Sequence, residues 1–447
     1  MTDFTNKKIA VLGFGINGLD VCNHLKNTSS SLTVFDRKSD LDTSSLTAKN
    51  IKYVFGPHYL DRGLDDFDLI FRSPGFRPDI PALAEARKRG IIITSPLQLF
   101  FDLCPATIIG VTGTKGKGTT STLINNILKT SGKDAYLAGN IGDPVLALLP
   151  KLTKNSYVVL ELSSFQLQDL TTSPHIAVVL FIASEHLDYH KDFDEYLQAK
   201  ANIVAHQQPT DYAVFNADNT YSFSFAKLTS AQKYYFSRFQ KVKGAYVINQ
   251  QIYLDDKIIG PTAKLLLRGE HNWDNVCAAI TASYLAGADI ASITKAIYSF
   301  IGLKHRLELV AETNNIKFIN DSFSTTPETT IAAVKAFFEP IILIAGGSDK
   351  GSDYTQMGQE IAASSVKTLV LIGLMAEKIR TAVLQHGYKG NIIFRPADFN
   401  QAVFRAYQQA RPGDIILLSP ACASFDMFND YKDRGEQFRT YAQAIKN

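Results

Sequence analysis

Gly110-Val111-Thr112-Gly113-Thr114-Lys115-Gly116-Lys117-Gly118-Thr119-Thr120 is the stretch whose reading decides the fold. Ahead of it stands Ala106-Thr-Ile-Ile109, an apolar run of strand character. Behind it, Ser121-Thr-Leu-Ile-Asn-Asn-Ile-Leu128 carries apolar residues at helical spacing. A strand, a glycine-rich turn and a helix in that order cradle phosphates. The glycines let successive backbone N–H groups point inward, Lys117 brings positive charge to β- and γ-phosphates, and a hydroxyl is available to Mg²⁺. In such loops Ser or Thr normally follows the lysine, but here it is Gly118, so either Thr119 supplies the hydroxyl or water takes that metal position. A purely structural turn with a solvated lysine is the weaker reading, given the strand before and the helix after.

Outward from this loop, short Ile/Val/Leu runs alternate with helical patterns to both ends, the mark of α/β domains on largely parallel sheets. Three domains are expected. Residues 1–97 form a Rossmann-like domain opening with KKIAVLG, residues 98–303 a central ATPase-like domain around the phosphate loop, and residues 304–447 a second Rossmann-like domain with PIILIAGG and DIILLSP. Within the central block, Tyr212 to Leu267 is rich in Tyr and Phe and is expected to be antiparallel. Hinges are expected near residues 97 and 303.

The 447 residues are 45% hydrophobic and 20% charged, enough for a sizeable core without metal or disulfide staples. The 46 basic and 43 acidic residues are scattered, so no basic patch points to nucleic acid or lipid. Cys22, Cys104, Cys277 and Cys422 lie far apart, as expected of free thiols in a reducing compartment. The longest apolar run, Ile176 to Ala183, is far short of the roughly 20 residues of a membrane span, so a cytoplasmic location is expected.

Other residues stand where such sheets bind ligands. Gly13-Phe-Gly15-Ile16-Asn17-Gly18 follows a strand, and Asp36 ends the next one. That spacing suits a diphosphate, but it leaves open an NAD-type cofactor, another nucleotide or a structural turn. Glu161 ends the strand YVVLEL, where Mg²⁺ ligation is favoured over a satisfied polar core residue. His186, after the next strand, is read equally as a ligand or as a strand-end cap. Lys200, in DEYLQAKANIVAH, reads by itself as a solvated helix lysine. Asn320-Asp321-Ser322, Gly346-Gly347-Ser348-Asp349-Lys350 and Ser419-Pro-Ala-Cys-Ala-Ser424 each follow a strand, the last opening a helix end that suits a carboxylate.

Together these motifs resemble the Mur ligases over essentially the whole chain. The phosphate loop, ELSSFQL with Glu161, SEHLDYH with His186, GEHNWDN and LKHRLE are jointly specific to that family. The resemblance implies ATP contacts at Gly113 to Thr120, His271, Asn272 and Asn275, with Arg306 near the γ-phosphate and Asp321 on the ribose. It implies one or two Mg²⁺ ions held by Thr119, Glu161 and His186, with Lys200 as a further ligand if carbamylated. Lys117, Glu161, His186, Lys200 and Arg306 are the implied catalytic groups. Within the family the likeness is to the members that add D-glutamate. It implies UDP-sugar contacts at Gly15, Ile16, Asn17, Asp36, Arg37, Ser73, Gly75, Asn140 and His186, and D-glutamate contacts at Thr325, Lys350, Ser424, Phe425 and Tyr431. Phe323 departs from the pattern, standing where many relatives have lysine after NDS.

The implied reaction is ATP-dependent: the L-alanine carboxylate of UDP-N-acetylmuramoyl-L-alanine becomes an acyl phosphate and is then taken by D-glutamate, in a monomer. Another Mur ligase or a folylpolyglutamate synthase would share the loop and differ in the first and third blocks. An oxidoreductase built on GFGING leaves the second Gly-Lys loop and Glu161 unexplained. A non-catalytic nucleotide-binding protein is the reading that Gly118 and Phe323 keep open.

Overall fold

The computed structural model describes residues 4–28, 30–44, 46, 48–140, 142–186, 189–267, 269–349 and 351–445. The chain forms two compact units, Met1–Leu265 with Glu270–Ser299, and Leu266–Gly269 with Phe300–Asn447.

The first unit holds two parallel sheets. One has the strand order Ile51–Phe55, Ser31–Asp36, Lys8–Leu12, Leu69–Arg72, Ile92–Thr94, every pair parallel. The other runs Gln232–Phe236, Tyr212–Asn216, Ile176–Val179, Thr107–Thr112, Tyr157–Glu161, Ala135–Gly139, also all parallel. The helix Pro96–Leu103, capped by the Ser95 side chain, buries every residue from Pro96 to Phe101. Through it one apolar cluster runs from Ile9 and Val11 to Leu146 and Leu160, which joins the two sheets in a single unit. Residue 97 therefore lies inside a packed helix.

The expected antiparallel stretch is corrected. Only Ala245–Ile248, Gln251–Leu254 and Lys257–Pro261 pair antiparallel, in a separate three-stranded sheet. Tyr212–Asn216 and Gln232–Phe236 instead extend the main sheet in parallel, because the helix Phe193–Ala205 and the short helix Thr220–Ser224 provide the crossovers that parallel pairing needs.

In the second unit, Ile316–Asn320, Ile415–Leu418, Ile341–Gly346, Val366–Ile372 and Asn391–Phe394 are parallel neighbours. Glu308–Thr313 adds an antiparallel edge through a tight turn at Asn314 and Asn315, both left-handed. Helices cover both faces and form two apolar layers, one around Leu343 and Leu369, the other around Ile344 and Phe438. The four cysteines are free. Among the described residues no helix is long and apolar enough to cross a membrane.

Candidate active site

Parallel strands deliver their following loops to one edge of a sheet, and the phosphate loop, Glu161, Asp36 and Asp321 stand at or just past such strand ends. In the central sheet Val111 pairs with Glu161, which places the phosphate loop beside the end of the strand Tyr157–Glu161. Gly116 caps the helix Lys117–Thr130 with φ +90°, and a Cβ there would stand 2.1 Å from Asn275 Oδ1. Only glycine allows both the left-handed turn and that approach. Asn275 donates to Asn272 Oδ1 at 2.8 Å and lies 3.3 Å from Thr120 Oγ1, so the helix His271–Leu285 is locked against the loop. Lys117 Nζ folds back onto the carbonyls of Gly113 and Thr114, at 3.0 and 3.1 Å. Thr119 is buried one residue on from Gly118.

Lys200 overturns its reading as a solvated lysine. The helix Phe193–Ala205 is capped by Asp192, which accepts from Glu195 N at 2.8 Å, and it turns Tyr196, Ala199, Lys200 and Ile203 to the sheet. The Lys200 side chain is 2% exposed, and Nζ donates to Gly113 O at 2.9 Å behind the phosphate loop. Burial, reinforced by Lys117, pushes its pKa well below the usual ammonium value. The shift is toward the uncharged amine.

Glu161 is also buried, accepting from Asn140 Nδ2 at 3.2 Å. His186 adopts φ +59°, packs tilted against Phe165 at 4.9 Å, and lies 3.7 Å from Glu185. Glu185 accepts from Lys115 at 2.6 Å, tying this loop to the phosphate loop. Burial by itself would raise Glu185, but Lys115, His186 and Lys117 outweigh it and hold the carboxyl below its usual range. Among the described residues no three His, Cys, Asp or Glu side chains group as a metal cage.

At the edge of the first sheet, Gly15, Ile16 and Asn17 open the helix Ile16–Leu25. Asp36 accepts from Phe14 N at 2.9 Å and from Lys38 N at 2.9 Å, so its carboxylate shapes the glycine loop. Ser73 approaches Gly13 O at 3.5 Å, while Arg37 and Gly75 are exposed.

In the second unit, Asp321 is 4% exposed, accepting from Ser419 Oγ at 2.7 Å and Leu307 N at 3.2 Å. Burial pushes it up to about 6 against those bonds. Arg306 lies over the Phe323 ring at 3.8 Å, and Phe323 meets Tyr431 edge-on at 5.1 Å. Ser424 is buried, Thr325 half-buried and Phe425 exposed. Lys350 lies outside the described residues.

Sequence reasoning missed two buried groups. Arg434 donates to Ser322 Oγ and O, both at 2.9 Å, and to Cys422 O at 3.2 Å, clamping the Asp321 loop to the Ser424 loop. Burial pushes it down to about 10. His190 donates to or accepts from Ser164 Oγ at 2.9 Å below Phe165. Its signal was its place in SEHLDYH; Arg434 had only its place in the closing motif.

Family models match three segments: a Mur ligase MurD-like N-terminal domain at residues 7–95, a Mur ligase middle domain at 111–283 and a Mur ligase glutamate ligase domain at 305–422. The chain is 40% identical to a UDP-N-acetylmuramoylalanine–D-glutamate ligase of Acetivibrio thermocellus, covering 99% of this chain and 97% of that protein. It is 39% identical to the enzyme of that name from Clostridium novyi, covering 97% and 96%. Among solved structures, the UDP-N-acetylmuramate-alanine ligase MurC of Thermotoga maritima superposes with TM-score 0.59 at 19% identity over 98% of this chain and 99% of that one. The MurF ligase of Thermotoga maritima in complex with ADP gives 0.57 at 14% identity over 99% of each. At these identities the structures speak for the shared fold alone.

Proposed function

Because this chain belongs to the Mur ligase family, we propose that it joins D-glutamate to UDP-N-acetylmuramoyl-L-alanine with consumption of ATP, in cytoplasmic peptidoglycan synthesis, acting as a monomer of three domains at 1–97, 98–303 and 304–447. The observation that carries the reading is the buried Lys200 amine, 2.9 Å from Gly113 O at the back of a phosphate loop whose Lys115 is paired with Glu185 beside His186. Relatives of that name at about 40% identity support the choice of member.

The donor set fits Mg²⁺, which binds through one or two carboxylates and leaves other positions to phosphates and water. Glu161, His186 and the Thr119 hydroxyl would hold it, and Lys200, whose burial favours the uncharged amine, would on adding CO₂ and losing a proton become a further anionic ligand. When bound, the metal supplies charge neutralisation to the triphosphate. In our reading Gly113 to Thr120 and Lys117 hold the triphosphate, His271, Asn272 and Asn275 the adenine, Asp321 the ribose, and Arg306 the γ-phosphate. The sugar nucleotide lies on Gly15, Ile16, Asn17, Asp36, Arg37, Ser73, Gly75, Asn140 and His186. D-Glutamate lies on Thr325, Lys350, Ser424, Phe425 and Tyr431.

A carboxylate oxygen of the L-alanine attacks the γ-phosphorus, the bond to the β,γ-bridging oxygen breaks, and ADP leaves with that electron pair. The amine of D-glutamate attacks the acyl carbon, loses a proton, and phosphate departs as the amide forms. Lys117 and Arg306 stabilise charge on the transferred phosphoryl group, and the rest is positioning. The test is phosphate release by purified protein with Mg²⁺, ATP and UDP-N-acetylmuramoyl-L-alanine. Release with D-glutamate and not with L-glutamate or other amino acids is expected; a different acceptor would move the member, and no release would overturn the reading.

A further inference from the structure

Arg72 ends the strand Leu69–Arg72, immediately before the Ser73–Gly75 loop, and its side chain is 1% exposed. A guanidinium so far from water is costly unless its donors are met. Nε donates to Asp169 Oδ2 at 2.6 Å, and Nη2 pairs with the same carboxylate. Nη1 donates to the Tyr189 hydroxyl at 3.0 Å and to the Phe76 carbonyl, while Nη2 reaches Phe165 O at 3.5 Å. The Tyr189 hydroxyl in turn stands 3.0 Å from Pro74 O and 2.9 Å from Phe76 O. The Phe165 ring packs against Tyr189 at 4.3 Å and His186 at 4.9 Å. Asn17, Pro74, Phe165 and Asp169 line one small cavity.

Two loops from different sheets are thus held by one cation. On one side is the 73–76 loop of the first sheet; on the other are the helix Ser164–Leu167, which follows Glu161, and Tyr189, with His186 packed on the same Phe165 ring. We propose that Arg72, acting through Asp169 and Tyr189, is a positioning residue that sets the sugar-nucleotide loop in register with the metal-binding loop. The proposal rests on the ligase reading above. The planar fork of arginine reaches a carboxylate, a hydroxyl and two carbonyls at once, which a lysine ammonium cannot.

The variants are Arg72→Gln, Arg72→Lys and Tyr189→Phe in the full chain. KM for ATP, KM for UDP-N-acetylmuramoyl-L-alanine and kcat are read from phosphate release, and backbone hydrogen exchange is read at 73–76 and 189–190. For Arg72→Gln, kcat/KM for the sugar nucleotide should fall on the order of 10- to 100-fold, the scale of a misplacement of about 1 Å. KM for ATP should stay within about twofold, since the phosphate-loop contacts are untouched. Arg72→Lys should recover only a small part, Tyr189→Phe should lose less, and exchange should rise at both segments together. Equal loss for both substrates, full rescue by lysine, or a rise at one segment only would overturn the proposal. If the unaltered protein shows no ligase turnover, the functional reading fails. Exchange then decides the coupling: a joint rise upholds it and a one-sided rise ends it.

Discussion

Replacing Gly116 with alanine adds one methyl group where the backbone has φ +90° and a Cβ would stand 2.1 Å from Asn275 Oδ1. The left-handed conformation costs a residue with a side chain roughly 1–2 kcal/mol. Moving Asn275 aside also sacrifices its 2.8 Å bond to Asn272 and its 3.3 Å contact with Thr120, about 0.5–1.5 kcal/mol each. The sum is about 2–5 kcal/mol, concentrated where the phosphate loop meets the helix His271–Leu285. Gly132, just past the other end of the helix Lys117–Thr130, has φ +74° with nothing within 4 Å of its would-be Cβ, so alanine there costs only the roughly 1–2 kcal/mol of the backbone. The pair therefore separates conformational strain from displacement of Asn275. KM for ATP and for the sugar nucleotide would be measured by phosphate release, with urea unfolding as a check on folding. Gly116→Ala should raise KM for ATP about tenfold or more, since about 1.4 kcal/mol is a factor of ten, while Gly132→Ala should leave it within about twofold. Equal changes in the two variants, or an unaltered KM for ATP in Gly116→Ala, would refute the assignment of Asn275 to the nucleotide.

Asp321 has a folded pKa of about 6 against an ordinary 3.8, so the folded chain holds its proton more tightly. Its contribution to stability is complete below pH 3.8 and is lost as pH rises through 6, a change of about 3 kcal/mol for about two pKa units. Asp321→Asn should flatten that slope in hydrogen exchange of the strands Ile316–Asn320 and Ile415–Leu418, corrected for intrinsic rates; parallel pH profiles would count against it. Phe323→Ala removes the ring 3.8 Å from Arg306, worth about 0.5–2 kcal/mol, and should lower kcat roughly 2- to 30-fold. An unchanged kcat would show that Arg306 needs no such support. Stripping dissolved CO₂ at fixed pH should lower activity and bicarbonate should restore it, with no restoration in Lys200→Gln; indifference to CO₂ would exclude the carbamate.

Local sequence carried the phosphate loop, the parallel α/β character and the strand ends at Asp36 and Glu161, because glycine spacing and short apolar runs are read over a few neighbours. It was weakest where two properties compete in the same residues. Tyr212–Asn216 and Gln232–Phe236 look alike in either strand direction, and only the crossover helices made them parallel. Glu308–Thr313 was overlooked because its burial alternates weakly along an edge. Lys200 looked solvated because a lysine scores as polar on any helical wheel, whatever the helix packs against.

What the sequence determined by itself is the set of short-range structures: strand, glycine turn and helix around Lys117, and the strand ends bearing Asp36, Glu161 and Asp321. What only the tertiary structure decided is which charged groups lose their water. Lys200, Arg72, Asp321 and Arg434 are buried by elements far along the chain, each held by partners from distant loops. Desolvation depends on the atoms that surround a group in space, and that neighbourhood is not written in the residues on either side of it.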